Sequence, residues 1–240
     1  MERTERKVWR GGMVAALLAV AVIGTACGTG GAQERSTDSQ PSASAHGAPS
    51  TGSGIDTPGA ELQQTLTSLL TSHVFLAGIA VEQAALTKDP ESAQFKAAAE
   101  ALDKNSQDLA GAIESVYGPE AGDQFLDLWR AHIGMFVDYT VGGLTGDDKM
   151  QDKAKSELDQ YRQDFGAFVD SATGGNLPAE DVAAALQEHV DSLVVTIDQV
   201  IEGKGNAFMS LYEAAQGHMP ATASALAGGI IAANPDKFAA

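Results

Sequence analysis

Three stretches of the chain read as copies of one motif: Leu69-Leu70-Thr71-Ser72-His73-Val74, Leu128-Trp129-Arg130-Ala131-His132-Ile133 and Ala185-Leu186-Gln187-Glu188-His189-Val190. Their histidines lie 59 and 57 residues apart. After each, helical periodicity continues to a turn signal: Thr87-Lys88-Asp89-Pro90, Thr145-Gly146-Asp147-Asp148 and Gly203-Lys204-Gly205-Asn206. A second helical pattern follows every turn. In it Leu102-Asp103-Lys104-Asn105 is matched by Leu158-Asp159-Gln160-Tyr161 and, more loosely, by Ala215-Gln216-Gly217-His218. Gly118-Pro119 and Gly174-Gly175-Asn176-Leu177-Pro178 separate the copies, and each Pro suits the first turn of the next helix.

The repeated unit is therefore a helical hairpin. The pattern predicts helices over 58–86, 91–116, 121–143, 148–172, 178–202 and 206–233. No stretch alternates at period two, so no sheet is expected. Three diverged copies are too few for an open solenoid. The expected fold is all-α: a closed six-helix bundle of three repeated hairpins, with residues 57–240 sharing one core.

The composition agrees with one such domain. Of 240 residues 44% are apolar and 20% charged, and 32 acidic against 15 basic residues give a formal charge of -17. So negative a surface repels phosphate backbones and argues against nucleic-acid binding. The single cysteine excludes an internal disulfide, a CxxC redox pair and a Cys-rich zinc site.

The N-terminus carries Arg3, Arg6, Lys7 and Arg10, an apolar run from Met13 to Ile23, and then Gly24-Thr25-Ala26-Cys27. Basic, apolar and small-residue regions in that order make a secretory signal. The run is short for a membrane span. A cysteine placed there resembles a bacterial lipobox, with Gly24 where that pattern usually has Leu. The resemblance implies a signal peptide over 1–26, cleavage before Cys27, and acylation of Cys27 by fatty acids such as palmitate. The mature chain would be anchored in the cell membrane on its extracytoplasmic face, the anchor being its only membrane contact. The other reading is a plain signal peptide followed by an unmodified cysteine. Loss of four basic and two acidic residues would bring the charge to -19. Residues 27–56 are rich in Gly, Ser, Thr and Pro and read as a tether. Its reach is roughly 30 Å. His46 lies within it and has no evident role.

Helical spacing places each motif histidine inside an apolar stripe. The stripes run Leu62, Leu66, Leu69, His73, Ala77, Ala80; then Phe125, Leu128, His132, Phe136, Tyr139; then Val182, Ala185, His189, Leu193, Thr196. His218 falls between Leu211, Ala215, Thr222 and Leu226, where the other hairpins have Asn105 and Tyr161. Two functions compete for these four imidazoles. Clustered in a low-dielectric core, His73, His132, His189 and His218 could bind a transition metal. Met135 follows His132 by three residues and Met219 follows His218, and such thioethers favour copper, especially Cu(I). Alternatively each imidazole is hydrogen-bonded by a neighbour, and the four form a polar layer in a non-catalytic envelope scaffold whose protein partner the sequence does not name. The residues three before each histidine are Leu70, Trp129, Leu186 and Ala215, so the Glu-x-x-His pairs of a di-iron site are missing. His-Glu-x-x-His, GxSxG, P-loop and GxGxxG motifs are missing too, and no enzyme is expected. Pro220, inside the last helix, is expected to bend it beside His218.

Leu126-Asp127-Leu128-Trp129-Arg130-Ala131-His132-Ile133, Ala225-Leu226-Ala227-Gly228-Gly229-Ile230-Ile231 and Asn234-Pro235-Asp236-Lys237-Phe238 resemble an uncharacterised family of bacterial helical proteins. That family has Leu-Trp-x-x-His near the start of a hairpin and closes with Gly-Ile-Ile…Pro-x-Lys-Phe. Similarity would cover most of residues 60–238. In the family the first motif heads the domain, whereas here it opens the second hairpin. The resemblance implies an all-helical domain and no particular reaction.

Overall fold

The structure is a computed structural model that describes residues 56–89 and 91–239. The signal segment 1–26, Cys27 with its expected lipid, and the tether through residue 55 with His46 lie outside the described residues.

Helix α1 spans Pro58–Thr87, with Pro58 in its first turn and the Thr57 side chain accepting the Ala60 N–H at 3.2 Å. It ends at Lys88, the one described non-glycine residue with a left-handed backbone, at φ 50°. Ser92 caps α2 (Ala93–Tyr117) by accepting from the Phe95 N–H. Asp89 braces the preceding turn by accepting from the Glu91 N–H. Helix α3 (Pro119–Thr145) follows without a loop residue beyond Gly118, whose φ of 90° makes the sharp reversal. Asp147 caps α4 (Asp148–Thr173), and α5 covers Ala179–Ile201. The sixth expected helix is built in three pieces. Helix α6 (Ala207–Glu213) runs into a π-helical turn (Ala214–His218), and α7 (Met219–Ala233) continues from it. A 3₁₀ turn, Pro235–Lys237, ends the domain, and no strand occurs among the described residues.

Six helical stretches thus form three hairpins, and their packing closes into a ring. Helix α2 lies against both α1 and α3, and α4 against both α3 and α5. The last stretch touches α5 through α6, and α1 through α6, the π-turn and α7. Helices α1, α3 and α5, the first of each hairpin, also touch one another. By length and composition α1 is apolar enough to cross a membrane, and here it is packed against helices from all three hairpins.

That packing keeps most of the expected apolar faces inward, with Leu62, Leu66, His73, Phe125, His132, Phe136, Tyr139, His189, Leu193 and Thr196 all buried, and changes them locally. Leu70 and Trp129 are buried where Leu69 and Leu128 were expected and are only half-buried. Ala185 is exposed, while Ala183, His189 and Val190 are buried. The physical reason is that each first helix meets neighbours on more than one side. Its buried sector is therefore wider than a single stripe. Two apolar clusters result. The larger gathers Leu66, Leu70, Val74, Leu109, Phe125, Trp129, Phe165 and Met219, among others. The smaller joins Phe136, Tyr139, Ala154, Leu158, Val190, Leu193 and Ile197. Matched acidic residues stay on wet faces: Asp103 takes a two-pronged bond from Arg130 (2.7 and 2.9 Å), and Asp164 one from Gln160.

Two glycines test this packing with opposite signs. A Cβ on Gly166 would stand 2.5 Å from the Ala179 carbonyl oxygen, backbone that cannot yield. Nothing lies within 4 Å of a Cβ on the exposed Gly111, inside α2. Gly166→Ala should therefore destabilise by about 1–3 kcal/mol. Gly111→Ala should stabilise by about 0.5–1 kcal/mol through helix propensity. Urea denaturation of both variants checks the pair.

Candidate functional site

The ring of helices brings the four core histidines into one connected chain. His73 on α1 lies with its ring centroid 5.6 Å from that of His132 on α3. Trp129, one turn before His132, touches both rings, at 4.9 and 4.6 Å. Tyr161 of α4 stacks on His132 at 5.0 Å. His189 of α5 lies within electrostatic reach of both His73 and His132. It also stacks on His218 of the π-turn, with centroids 5.6 Å apart and planes only 9° from parallel. The order is therefore His132, His73, His189, His218. All three hairpins contribute, as their repeated motif requires.

Burial falls along this chain. His73 is 2% exposed, His132 3% and His189 8%, whereas His218 is half-buried. Burial accordingly drives the His73 pKa down to about 4, partly offset by the nearby Asn105 side chain, which does not form a well-aligned bond to it. His189 is pushed down to about 3, first by burial and then by repulsion from His73 and His218. His132 is lowered well below its ordinary range by burial, with His73 and His189 adding to the effect. At neutral pH these three imidazoles are uncharged, each with a lone pair on one ring nitrogen.

Their hydrogen bonding is incomplete. Nδ1 of His73, of His132 and of His189 is buried and has no hydrogen-bond partner. The carbonyls of Leu128 and Trp129 lie near the His132 ring without forming a well-aligned bond to Nδ1. Asn105 Oδ1, Trp129 Nε1 and Tyr161 Oη share this condition. Asn105 is fixed in orientation, because its Nδ2 donates to the Leu69 carbonyl at 3.0 Å and leaves Oδ1 as the free acceptor. These six atoms complete the unpartnered buried side-chain set among the described residues, and all belong to this region. An orphaned buried polar atom costs about 1–3 kcal/mol. Six of them in one region therefore call for an explanation.

The two methionines expected as soft ligands have packing roles. Met219 is buried in the larger cluster, and Met135 is half-buried against both clusters. Nor do three His, Cys, Asp or Glu side chains among the described residues point at a single spot. The imidazoles are arranged as neighbours in a chain rather than as one three-way knot. Two imidazoles sharing an ion at about 2.0–2.1 Å from each nitrogen have centroids roughly 5–6.5 Å apart. The His73–His132 and His189–His218 separations fall in that interval. With no three ligands converging among the described residues, a shared ion here would rest on two imidazole nitrogens, and His73–His132, with planes 53° apart, is the pair whose rings do not stack.

Sequence reasoning found the four histidines, and noted Asn105 and Tyr161 only as their counterparts. It took Trp129 for a family signature and missed it as a polar member. The one available signal was its placement three residues before His132. No family model matches this chain, and no curated protein or solved structure matches it either.

The depressed pKa values fix how stability should respond to acid. The unfolded chain takes up a proton on His73 and on His189 below about pH 6.5, while the folded one resists until about pH 4 and about pH 3. Stability is therefore full above pH 6.5 and lost as pH falls through the 6.5-to-4 window. Between pH 7 and pH 5 each neutral-locked histidine should remove about 2 kcal/mol. Denaturant titrations at the two values check this, and His73→Gln should flatten the dependence by about one histidine's share.

Proposed function

We propose that this chain is an exported, lipid-anchored protein that holds copper, as Cu(I), among its buried histidines. What carries the reading is the set of three buried, unpartnered Nδ1 atoms on neutral imidazoles in mutual reach. His73 and His132 would form the deepest seat, with His189 beside it. Met135 and Met219 are left as packing residues that could swing toward an ion but are not needed to bind it.

Charge selects the ion. Imidazoles contribute no negative charge, and no carboxylate joins them in a ligand group among the described residues. A divalent ion would keep its full double charge in a medium where isolated charges are heavily penalised. A monovalent ion halves the charge, and Cu(I) accepts few, soft or borderline ligands. The formal charge of -17 gives the molecule a field that draws cations from outside. Binding of this kind requires no electron transfer and no substrate, so the reading is storage or delivery rather than catalysis.

A second reading has its own observation. Phe75, Ile79 and Leu86 on α1, with Phe208, Met209 and Tyr212 on α6, are large apolar side chains left exposed. Such a surface suits an envelope scaffold, in which water would serve the orphaned Trp129 Nε1 and Tyr161 Oη.

Metal retention separates the two. The purified protein is loaded separately with Cu(I), Cu(II), Zn(II) and Fe(II), desalted and analysed for bound metal beside a variant with all four histidines changed to Gln. Single His73→Gln and His132→Gln variants serve as folded controls. Stoichiometric Cu(I), reduced at least tenfold by either single change, is the expected result. No retention by the unaltered protein, or equal retention throughout, overturns the copper site and leaves the scaffold.

A further inference from the structure

We infer that His218, carried on the π-helical turn, is the port through which Cu(I) reaches the buried seat, receiving the ion from solvent and passing it to His189. This rests on the copper reading above and adds the route.

Several observations meet at this residue. Of the four core histidines, His218 alone is half-buried, so it alone offers a nitrogen near solvent. Its ring stacks on His189, which in turn lies within reach of His73 and His132. His189 interacts with the deeper pair electrostatically rather than by ring contact, which makes it the link between His218 and the centre. Next, the corresponding residues of the other hairpins, Asn105 and Tyr161, sit in uninterrupted helices of 25 and 26 residues. Only the third hairpin interrupts its second helix, and it does so where its counterpart becomes a histidine.

The local backbone is also the easiest to move. Met219 N–H bonds back to the Ala214 carbonyl across the widened turn, and Pro220 supplies no N–H at all. The Ala215 carbonyl is met by Thr71 Oγ1 only at 3.5 Å, the outer limit of a hydrogen bond. A Cβ at Gly217, next to His218, would find open space on every side. Finally, α6 has seven residues, of which Ala207 and Leu211 are buried. Leu211 rests on Gly78 of α1, while Phe208, Met209 and Tyr212 face out. A segment with so few buried contacts lifts at low free energy. Lifting would swing His218 outward and uncover His189.

The transfer is simple ligand exchange. A labile ligand leaves the incoming Cu(I) as a His218 nitrogen binds. His189 then donates its nitrogen as His218 releases, and the ion passes on to His73 and His132. Copper stays monovalent, and no proton or electron moves.

The test measures uptake rate under anaerobic conditions, by withdrawal of Cu(I) from a chromophoric chelator followed in a stopped-flow instrument. His218→Met and His218→Leu are compared with the unaltered protein. The two replacements are close in volume and both apolar, so any packing disturbance is shared, and only Met can ligate Cu(I). Uptake within threefold of normal in the Met variant and at least tenfold slower in the Leu variant is the expected result. Copper finally bound at the deep seat should be the same in both. Equal rates for Met and Leu, whether fast or slow, overturn the port while the buried site stands. Failure of the unaltered protein to take up Cu(I) removes the port together with the copper reading.

Discussion

Imidazoles in the middle of a helix bundle are the constraint on which this structure turns. Each of the three first helices carries one to a buried position, where an unpartnered nitrogen costs about 1–3 kcal/mol. One such residue in a core is ordinary. Here three are brought together from separate hairpins, and their aromatic neighbours are polar too, Trp129 and Tyr161 each keeping an unused hydrogen-bonding atom. Apolar packing above and below, in two distinct clusters, offsets this destabilisation. The bundle thus concentrates its polar penalty in one region rather than spreading it, the pattern expected where a site is bought with stability.

The threefold arrangement follows from the repeat. Hairpins of nearly equal length place their motif histidines at the same level, and closure of α7 on α1 turns three neighbours into a ring. Once closed, α1, α3 and α5 must meet, and the buried face of each includes its histidine. The second helices fill the outer grooves and contribute Asn105, Tyr161 and His218 from equivalent places. Asn105 reinforces α1 by holding the Leu69 carbonyl, and Tyr161 stacks on His132. Symmetry therefore accounts for where the polar atoms are, and the departures from symmetry for how they differ.

Much of this was legible in the residues. The His spacing, the Gly and Pro turn signals and the hairpin matches give six helical stretches, with ends within about three residues of those observed. The caps themselves are short polar residues placed just before each helix, Asp147 for α4 and Ser92 for α2. The faces were less legible, because a stripe drawn on one helix assumes one neighbour. Around Leu70 and Trp129 there are several, and the buried sector widened accordingly. Pro220 announced an irregularity, but not its form. A kink and a π-turn share the same local signal, and the choice depends on which carbonyls neighbouring helices can serve, here Thr71 of α1.

The π-turn also has a packing cause that makes its position intelligible. Leu211, Ala215, Met219, Ala223 and Ala227 are all buried and recur every four residues. In a straight α-helix a four-residue step overshoots one turn by about 40°, so five such positions could not share a face. A turn wider than 3.6 residues takes up part of the excess and keeps both Leu211 and Ala227 inward. The same correction leaves His218 at the margin while Met219 takes the buried place beside it. Repacking α7 on α1 and placing a histidine at the edge of the core are thus one structural event. A substitution that restored a regular helix here would turn one half of the stretch away from the core. The irregularity is held in place by apolar burial, and the position of His218 follows from it.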